Sequence, residues 1–226
     1  MEISVAKKVC GVRAANMVED GMVVGLGSGS TIVPMVMELS SRVKNEGLEV
    51  IGIPTSEATA SLASQQGIKL SSLDEHPVID MVIDGADEIS PQLDLIKGLG
   101  GALVREKIVA CASRRMVVVA DDGKLVETLG RGLLPVEVVP FAWQATKDRV
   151  KTLGCKATLR KKETIYVTDN GNYILDCSFG PIDSPSELEM RLNNIPGVVE
   201  NGLFLGMAKA VVVGYDNGET KLIQKD

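Results

Sequence analysis

Short apolar runs alternate with helical stretches along the first half of this chain, and that alternation restricts the fold more than any other feature. MVVGL (Met22 to Leu26) closes on glycines, LEVIGIP (Leu48 to Pro54) follows, and VIDMVID (Val78 to Asp84) ends on an aspartate. MVVVA (Met116 to Ala120) is a further run, and IKL (Ile68 to Leu70) is a shorter one. Apolar runs of this length suit strands buried on both faces, as in a parallel sheet. Between them, Ser4 can cap a helix whose apolar face includes Val5, Val9 and Val12, with Gly21 ending it. A second helix starts near Ser30, with Pro34 in its first turn. Ser56 to Gln66 reads as a third, with Gly67 just past its end, and Ala102 to Ala112 as a fourth. Strands alternating with helices indicate an α/β domain with a mostly parallel sheet. Open sheets of this kind bind ligands at the C-terminal ends of their strands.

The pattern changes near Arg131. PVEVV (Pro135 to Val139) leads to a helix over Ala142 to Leu153, closed by Gly154. ATLR and TIYVT are short strand candidates, and Asn170-Gly171 between β-prone flanks signals a hairpin. Pro185 to Asn194 reads as a helix, and VVENGLF (Val198 to Phe204) as a strand. Hairpins with two helices imply an α+β domain with an antiparallel sheet. AVVVGY and TKLIQ, joined by Asp216-Asn217-Gly218, form a last hairpin that returns to the first domain. The expected division is 1–130 plus 205–226 for the larger domain and 131–204 for the smaller.

Composition excludes several classes of function. The chain has 226 residues, 45% hydrophobic and 24% charged, which suits a large domain with a small companion. A net charge of −6 argues against nucleic acid or an anionic membrane as the main partner. A phosphate ligand therefore needs a local basic pocket. Cys10, Cys111, Cys155 and Cys177 form no CxxC pair and match no zinc template. Cys10 and Cys111 fall in apolar helical stretches, where a free thiol behaves as a small hydrophobe, and a reducing compartment is the simplest setting. Charges interrupt the N-terminal segment before any signal-peptide core develops, and no apolar stretch spans a bilayer. The single histidine, His76, precedes Pro77 in a polar loop and reads as a turn residue. No Ser-His-Asp triad and no histidine metal site can be built, so proton transfer falls to carboxylates and lysines.

Three motifs supply such groups. GLGSGST (Gly25 to Thr31) ends a strand and opens a helix, where backbone N–H groups and the hydroxyls of Ser30 and Thr31 can meet an anion. It lacks the lysine of a Walker A loop and the third glycine of a dinucleotide fingerprint; the alternative is an ordinary turn. DGADEI places Asp84 and Asp87 around Gly85 at a strand end. Both carboxylates can face one cleft, or Asp87 can cap a local N–H in a solvated turn. KGLGGALVREK carries Lys97, Gly98, Gly100, Gly101, Arg105 and Glu106. Lys97 can stabilise an enolate-like oxygen. Glu106 is either a general base or a helix-surface residue beside Lys107. About 100° of helix separates Glu106 from Arg105, so one of them at most faces a cleft. An anion cradle with carboxylates and a lysine is what proton transfer on a small phosphorylated substrate requires.

Taken together the motifs resemble type A ribose-5-phosphate isomerase. The resemblance rests on an ordered set: KK near the start, G-x-GST, DGADEI, KG-x-G-x-A-L-x-REK, ADDGKLV, LPVEVVP, VTDNGNYILD and IPGVVENGLFLG. It covers essentially the whole chain. It implies an α/β fold, with a Rossmann-like, mostly parallel sheet domain and a smaller ferredoxin-like α+β domain, assembled as homodimers or homotetramers. The implied reaction interconverts D-ribose 5-phosphate and D-ribulose 5-phosphate with no metal or nicotinamide. By motif position, Glu106 is the implied base. Asp84 and Asp87 bind the sugar hydroxyls and assist ring opening, and Lys97 is the oxyanion partner. Ser28, Gly29, Ser30 and Thr31 are implied substrate-binding positions, as are Gly85, Ala86, Gly98 and Gly100, with Lys124 and Lys7 as phosphate-binding cations. The implied partner is a sugar phosphate, not nucleic acid or membrane, in the cytoplasm, or in a plastid stroma if a transit peptide has been removed. One departure stands out: family members often have glycine where this chain has Leu99, and leucine resists positive φ, so the turn relies on Gly98 and Gly100. Sugar-phosphate deaminases, CoA transferases and a non-catalytic sugar-phosphate sensor are the competing readings.

Overall fold

The computed structural model describes residues 3–224. The chain forms two compact units: Met1–Ala86, Arg105–Lys124 and Gly206–Asp226 make the first, and Asp87–Val104 with Leu125–Leu205 the second. This differs from the expected division at 130/131. Residues 87–104 and 125–130 go with the second unit because their short strands and turns bond to partners there.

The first unit is built on a seven-stranded sheet. Its strands, numbered along the chain, are β1 (Val23–Leu26), β2 (Ile51–Pro54), β3 (Lys69–Leu70), β4 (Met81–Gly85), β7 (Met116–Asp121), β13 (Ala208–Gly214) and β14 (Thr220–Gln224). The order is β14-β13-β7-β4-β1-β2-β3, parallel throughout except for the β13–β14 hairpin. Val24, Leu26, Ile83, Val117, Val119 and Val212 are buried in one core, which is why these strands read as unbroken apolar runs. The helices are α1 (Val5–Ala15), α2 (Ile32–Glu46), α3 (Glu57–Gln65) and α4 (Leu103–Cys111), the last counted here from Arg105 onward. The mostly parallel α/β sheet expected from the sequence is the one observed, and the C-terminal hairpin does rejoin it.

Two details of α1 depart from expectation. Ser4 does cap it, accepting the Lys7 N–H at 3.4 Å, but the helix ends at Ala15, not Gly21. The buried face is Ala6, Cys10, Gly11, Ala14 and Ala15, whereas Val5 is exposed. Small side chains win because the neighbours come too close for valine. A Cβ on Gly11 would lie 3.0 Å from the Met35 nitrogen of α2, and one on Gly214 of β13 would lie 2.0 Å from the Ala6 oxygen.

The second unit holds β8 (Leu134–Val138), α5 (Trp143–Lys151), β9 (Lys156–Leu159), β10 (Tyr173–Ser178), α6 (Pro185–Asn193) and β11 (Val198–Asn201). This βαββαβ sequence pairs antiparallel in the order β11-β8-β10-β9, the ferredoxin-like arrangement. Val136, Val138, Val150, Leu159, Leu175 and Leu192 fill its core. A small antiparallel sheet of β5 (Glu88–Ile89), β6 (Leu95–Ile96) and β12 (Leu203–Phe204), ordered β12-β6-β5, completes the unit.

TIYVT forms no strand; a lone bridge, Lys161 to Ile165, is its only ladder contact. Its end is drawn instead to Glu137, fully buried on β8. The Thr168 hydroxyl and the side-chain amides of Asn170 and Asn172 donate to Glu137 Oε1 at 2.9, 3.2 and 2.9 Å. The Asn170-Gly171 turn is present, closed by the Thr168 N–H on the Asn172 carbonyl. VVENGLF is two strands, not one. The chain breaks at Gly202, where a Cβ would meet the Lys97 carbonyl at 2.3 Å.

Candidate active site

In the first unit the parallel strands put their C-terminal ends on one edge, and β1 and β4 are in register there, Leu26 beside Ile83. Gly27 follows directly and donates its N–H to the Ile83 carbonyl at 2.9 Å. A Cβ on Gly27 would lie 2.6 Å from the Asp84 Cα, so only glycine lets the two chains run this close. The Ser28 and Gly85 N–H groups both donate to Asp84 Oδ1, at 3.0 and 2.7 Å. Asp84 is buried. The Ser28 hydroxyl lies 2.7 Å from that of Thr55 and donates to that of Ser56 at 2.9 Å. Thr59 donates to the Gly27 carbonyl at 2.8 Å. This hydroxyl cluster at the ends of β1 and β2 has no signature in the sequence, where Ser56 reads only as the first residue of a helix.

The start of α2 is cationic in two ways. Gly29 adopts a φ of 96° and lets the chain turn into the helix. Lys7, in the first turn of α1, donates to the Ser30 hydroxyl at 3.0 Å. Thr31 precedes the helix with no capping bond from its side chain. A fixed ammonium beside a helix N-terminus is an electrostatic fit for an anion. Lys124 ends a short 3₁₀ turn, Asp122–Lys124, directly after β7 and so belongs to the same edge of the sheet.

α4 runs back against the strand direction. Val109 packs so closely on β1 and β4 that a Cβ on Gly25 would lie 2.7 Å from it and 2.8 Å from Val82. Ser113, just past the helix, bridges Ile79 at the opposite edge of the sheet. The first turn of α4 therefore stands at the C-terminal edge, and Glu106 is in that turn. Glu106, Lys107 and Ala110 are all buried, an inward stripe at helical spacing. Arg105 turns outward to Glu57 at 2.7 Å. Of the two candidates Glu106 is the inward one, only 4% exposed, and it is not the surface residue that helix statistics favour.

In the second unit, Asp87 is half-buried and accepts the Leu99 N–H on Oδ2 at 3.0 Å. Glu88, unremarked in the sequence, is buried and accepts the N–H groups of Gly130, Arg131 and Gly132. It clamps a turn. Lys97 is 2% exposed. Its N–H bonds the Gly202 carbonyl at 2.9 Å, and its ammonium stands 5.3 Å from the centre of the Phe204 ring. The following turn takes positive φ at Gly98 (103°) and Gly101 (92°). It does so neither at Leu99 nor at Gly100, so leucine at 99 carries no backbone strain. Leu99 is 45% exposed.

Residues 51–218 match the family model for ribose 5-phosphate isomerase A (phosphoriboisomerase A). The chain belongs to the ribose 5-phosphate isomerase A family. It is 54% identical over 221 residues to ribose-5-phosphate isomerase A of Gloeobacter violaceus, covering 96% of each chain. The solved ribose 5-phosphate isomerase A of Methanocaldococcus jannaschii superposes with a TM-score of 0.92 at 43% identity, covering 97% of this chain and 98% of that one. A D-ribose-5-phosphate isomerase solved in complex with phospho-erythronic acid superposes with a TM-score of 0.95 at 39% identity, with 100% of both chains covered. Membership in this isomerase family makes the chain an enzyme of the aldose–ketose isomerase class, as the ordered motifs implied. No described helix is long and apolar enough to cross a membrane.

The four thiols are free. Burial pushes the Cys10 thiol up to about 11. Cys111, expected to behave as a buried hydrophobe like Cys10, is exposed, because it lies off the inward stripe of α4. Cys155 and Cys177 are buried and hydrogen-bonded to each other, which lowers the first and raises the second.

Proposed function

We propose that this chain interconverts D-ribose 5-phosphate and D-ribulose 5-phosphate through a cis-enediolate, with Glu106 as the base. The observation that carries the reading is the burial of Glu106 on the inward stripe of α4, at the sheet edge that also bears Asp84 and the Ser28–Thr31 turn. The phosphate binds at the start of α2, held by Ser30, Thr31, Lys7 and Lys124. Ser28, Gly29, Gly85, Ala86, Gly98 and Gly100 line the sugar. Asp84 and Asp87 bind its hydroxyls and assist opening of the furanose. In the open aldose, the C2 proton passes to the Glu106 carboxylate and returns to C1, while the O2 proton moves to O1. The net change is an isomerisation. Lys97 stabilises the negative oxygen that develops between the two transfers, the point at which a preorganised charge contributes most.

Support also comes from the relatives, named ribose-5-phosphate isomerase A, and from the related solved complex with phospho-erythronic acid. The assembly proposed is a homodimer or homotetramer. With all four thiols free, the proposed setting is the reducing cytoplasm. The decisive experiment measures ribulose 5-phosphate formed from ribose 5-phosphate after treatment with a chelator, with deuterium exchange at the sugar carbon followed in D₂O. Steady product formation with exchange is expected. Failure to form ribulose 5-phosphate would overturn the reading.

A further inference from the structure

Outside the residues assigned so far, the second unit contains an arginine whose contacts converge on the turn after Lys97. Arg160 directly follows β9, and its N–H bonds the Ile174 carbonyl of β10 at 2.8 Å. Thr158 faces Asp176 in the same ladder, so Arg160 and Asp176 are diagonal neighbours on one face. The guanidinium Nε donates to Asp176 Oδ2 at 2.9 Å and Nη2 donates to the second Asp176 oxygen. This is the two-pronged geometry that fixes an arginine in orientation as well as position. The side chains are only 11% and 17% exposed.

The remaining nitrogen, Nη1, donates to the carbonyls of both Gly98 and Leu99 at 3.0 Å. Tyr166 lies with its ring 5.9 Å from the guanidinium carbon and donates its hydroxyl to the Gly100 carbonyl at 3.3 Å. Three successive carbonyls of the turn are thus held by one arginine and one tyrosine. Gly101 makes this possible, because a Cβ there would lie 2.2 Å from the Tyr166 oxygen.

The Gly98 carbonyl and the Leu99 N–H belong to one planar peptide unit and point in opposite directions. Arg160 holds the carbonyl, and the N–H donates to Asp87 at 3.0 Å. Rotation of that peptide would break both bonds together. We infer that Arg160, oriented by Asp176, is a positioning residue for Asp87, acting through the Gly98–Leu99 peptide. The inference rests on the role of Asp87 proposed above. A carboxylate that must bind a sugar hydroxyl in one orientation gains from having its other oxygen tied to a fixed N–H.

A double-mutant cycle in the full-length enzyme tests it, with kcat and KM for ribose 5-phosphate measured for Arg160→Gln, Asp87→Ala and the double variant. Arg160→Gln is expected to lower kcat about tenfold or more with KM changed by less than about threefold. The double variant is expected to be no slower than Asp87→Ala alone, because the arginine has then lost the group it positions. Asp176→Asn, which keeps the arginine but removes the anion that orients it, takes the place of Arg160→Gln if that variant does not fold. It should show the same non-additivity. Effects on kcat that multiply, or an Arg160→Gln enzyme with normal kcat, would overturn the inference and leave the role of Asp87 standing. A normal kcat for Asp87→Ala would overturn both.

Discussion

Gly27 and Asp84 stand so close that a Cβ on the glycine would lie 2.2 Å from Asp84 Oδ1. The carboxylate occupies the space that a side chain at position 27 would take, and the N–H of the next residue, Ser28, bonds it at 3.0 Å. Gly27→Ala is therefore expected to displace Asp84 or the turn. Overpacking of this kind costs about 1–3 kcal/mol, and each kcal/mol lowers Tm by about 2–4 °C in a chain this size. Calorimetry should show that loss, and kcat/KM should fall about tenfold or more. An alanine variant with normal Tm and normal activity would contradict the assigned packing.

Glu106→Gln keeps the shape of the side chain and removes its capacity to accept a proton. The expected loss in kcat is about 10²–10⁴-fold, the usual contribution of a positioned base. Substrate binding, measured by calorimetric titration, should change little. Near-normal turnover would transfer the role of base to another residue.

Lys7 reaches Ser30 at the start of α2. If the phosphate lies there, Lys7→Ala should raise KM for ribose 5-phosphate about tenfold, with a smaller effect on kcat. Inhibition by inorganic phosphate should weaken in parallel. A lysine serving only as a surface cap on Ser30 would leave both unchanged.

Cys111 is the exposed thiol, and Cys10, Cys155 and Cys177 are buried. Iodoacetamide on the native protein at pH 8 should label one position, found by mass spectrometry at Cys111. The Cys10 pKa, raised by burial from 9.0 to about 11, adds a dependence on pH. Between those values the unfolded thiol ionises and the folded one does not, so the folded state holds more protons and loses stability as pH rises. Urea titrations from pH 8 to 10.5 should show that decline, and Cys10→Ala should reduce it.

Much of this protein could be read along the chain because its signals are local. Apolar runs over 22–26, 78–84 and 116–120 mark buried strands wherever they are placed, and the glycine turn after β1 identified a strand end that meets a helix. Other features depend on neighbours distant in sequence. Val5, Val9 and Val12 form a plausible apolar stripe, but α2 and β13 approach too closely for it, and α1 buries alanine and glycine instead. TIYVT has strand composition, yet Glu137 on β8 draws the end of that segment away from the ladder. Neither Arg160 nor the Thr55–Ser56–Thr59 hydroxyls carry a local signature, since each acquires its role from partners on another strand or loop.

The chain alone determined the α/β class, the order of motifs and the residue types available for proton transfer, because hydrophobic period, turn chemistry and side-chain pKa are properties of short segments. The fold decided that Glu106 turns inward while Arg105 turns out to Glu57, and that Asp84 receives two backbone donors. It also decided that the Gly98–Leu99 peptide is held from both sides. Those outcomes depend on close packing between segments distant in sequence, and packing is fixed only when all the elements are in place.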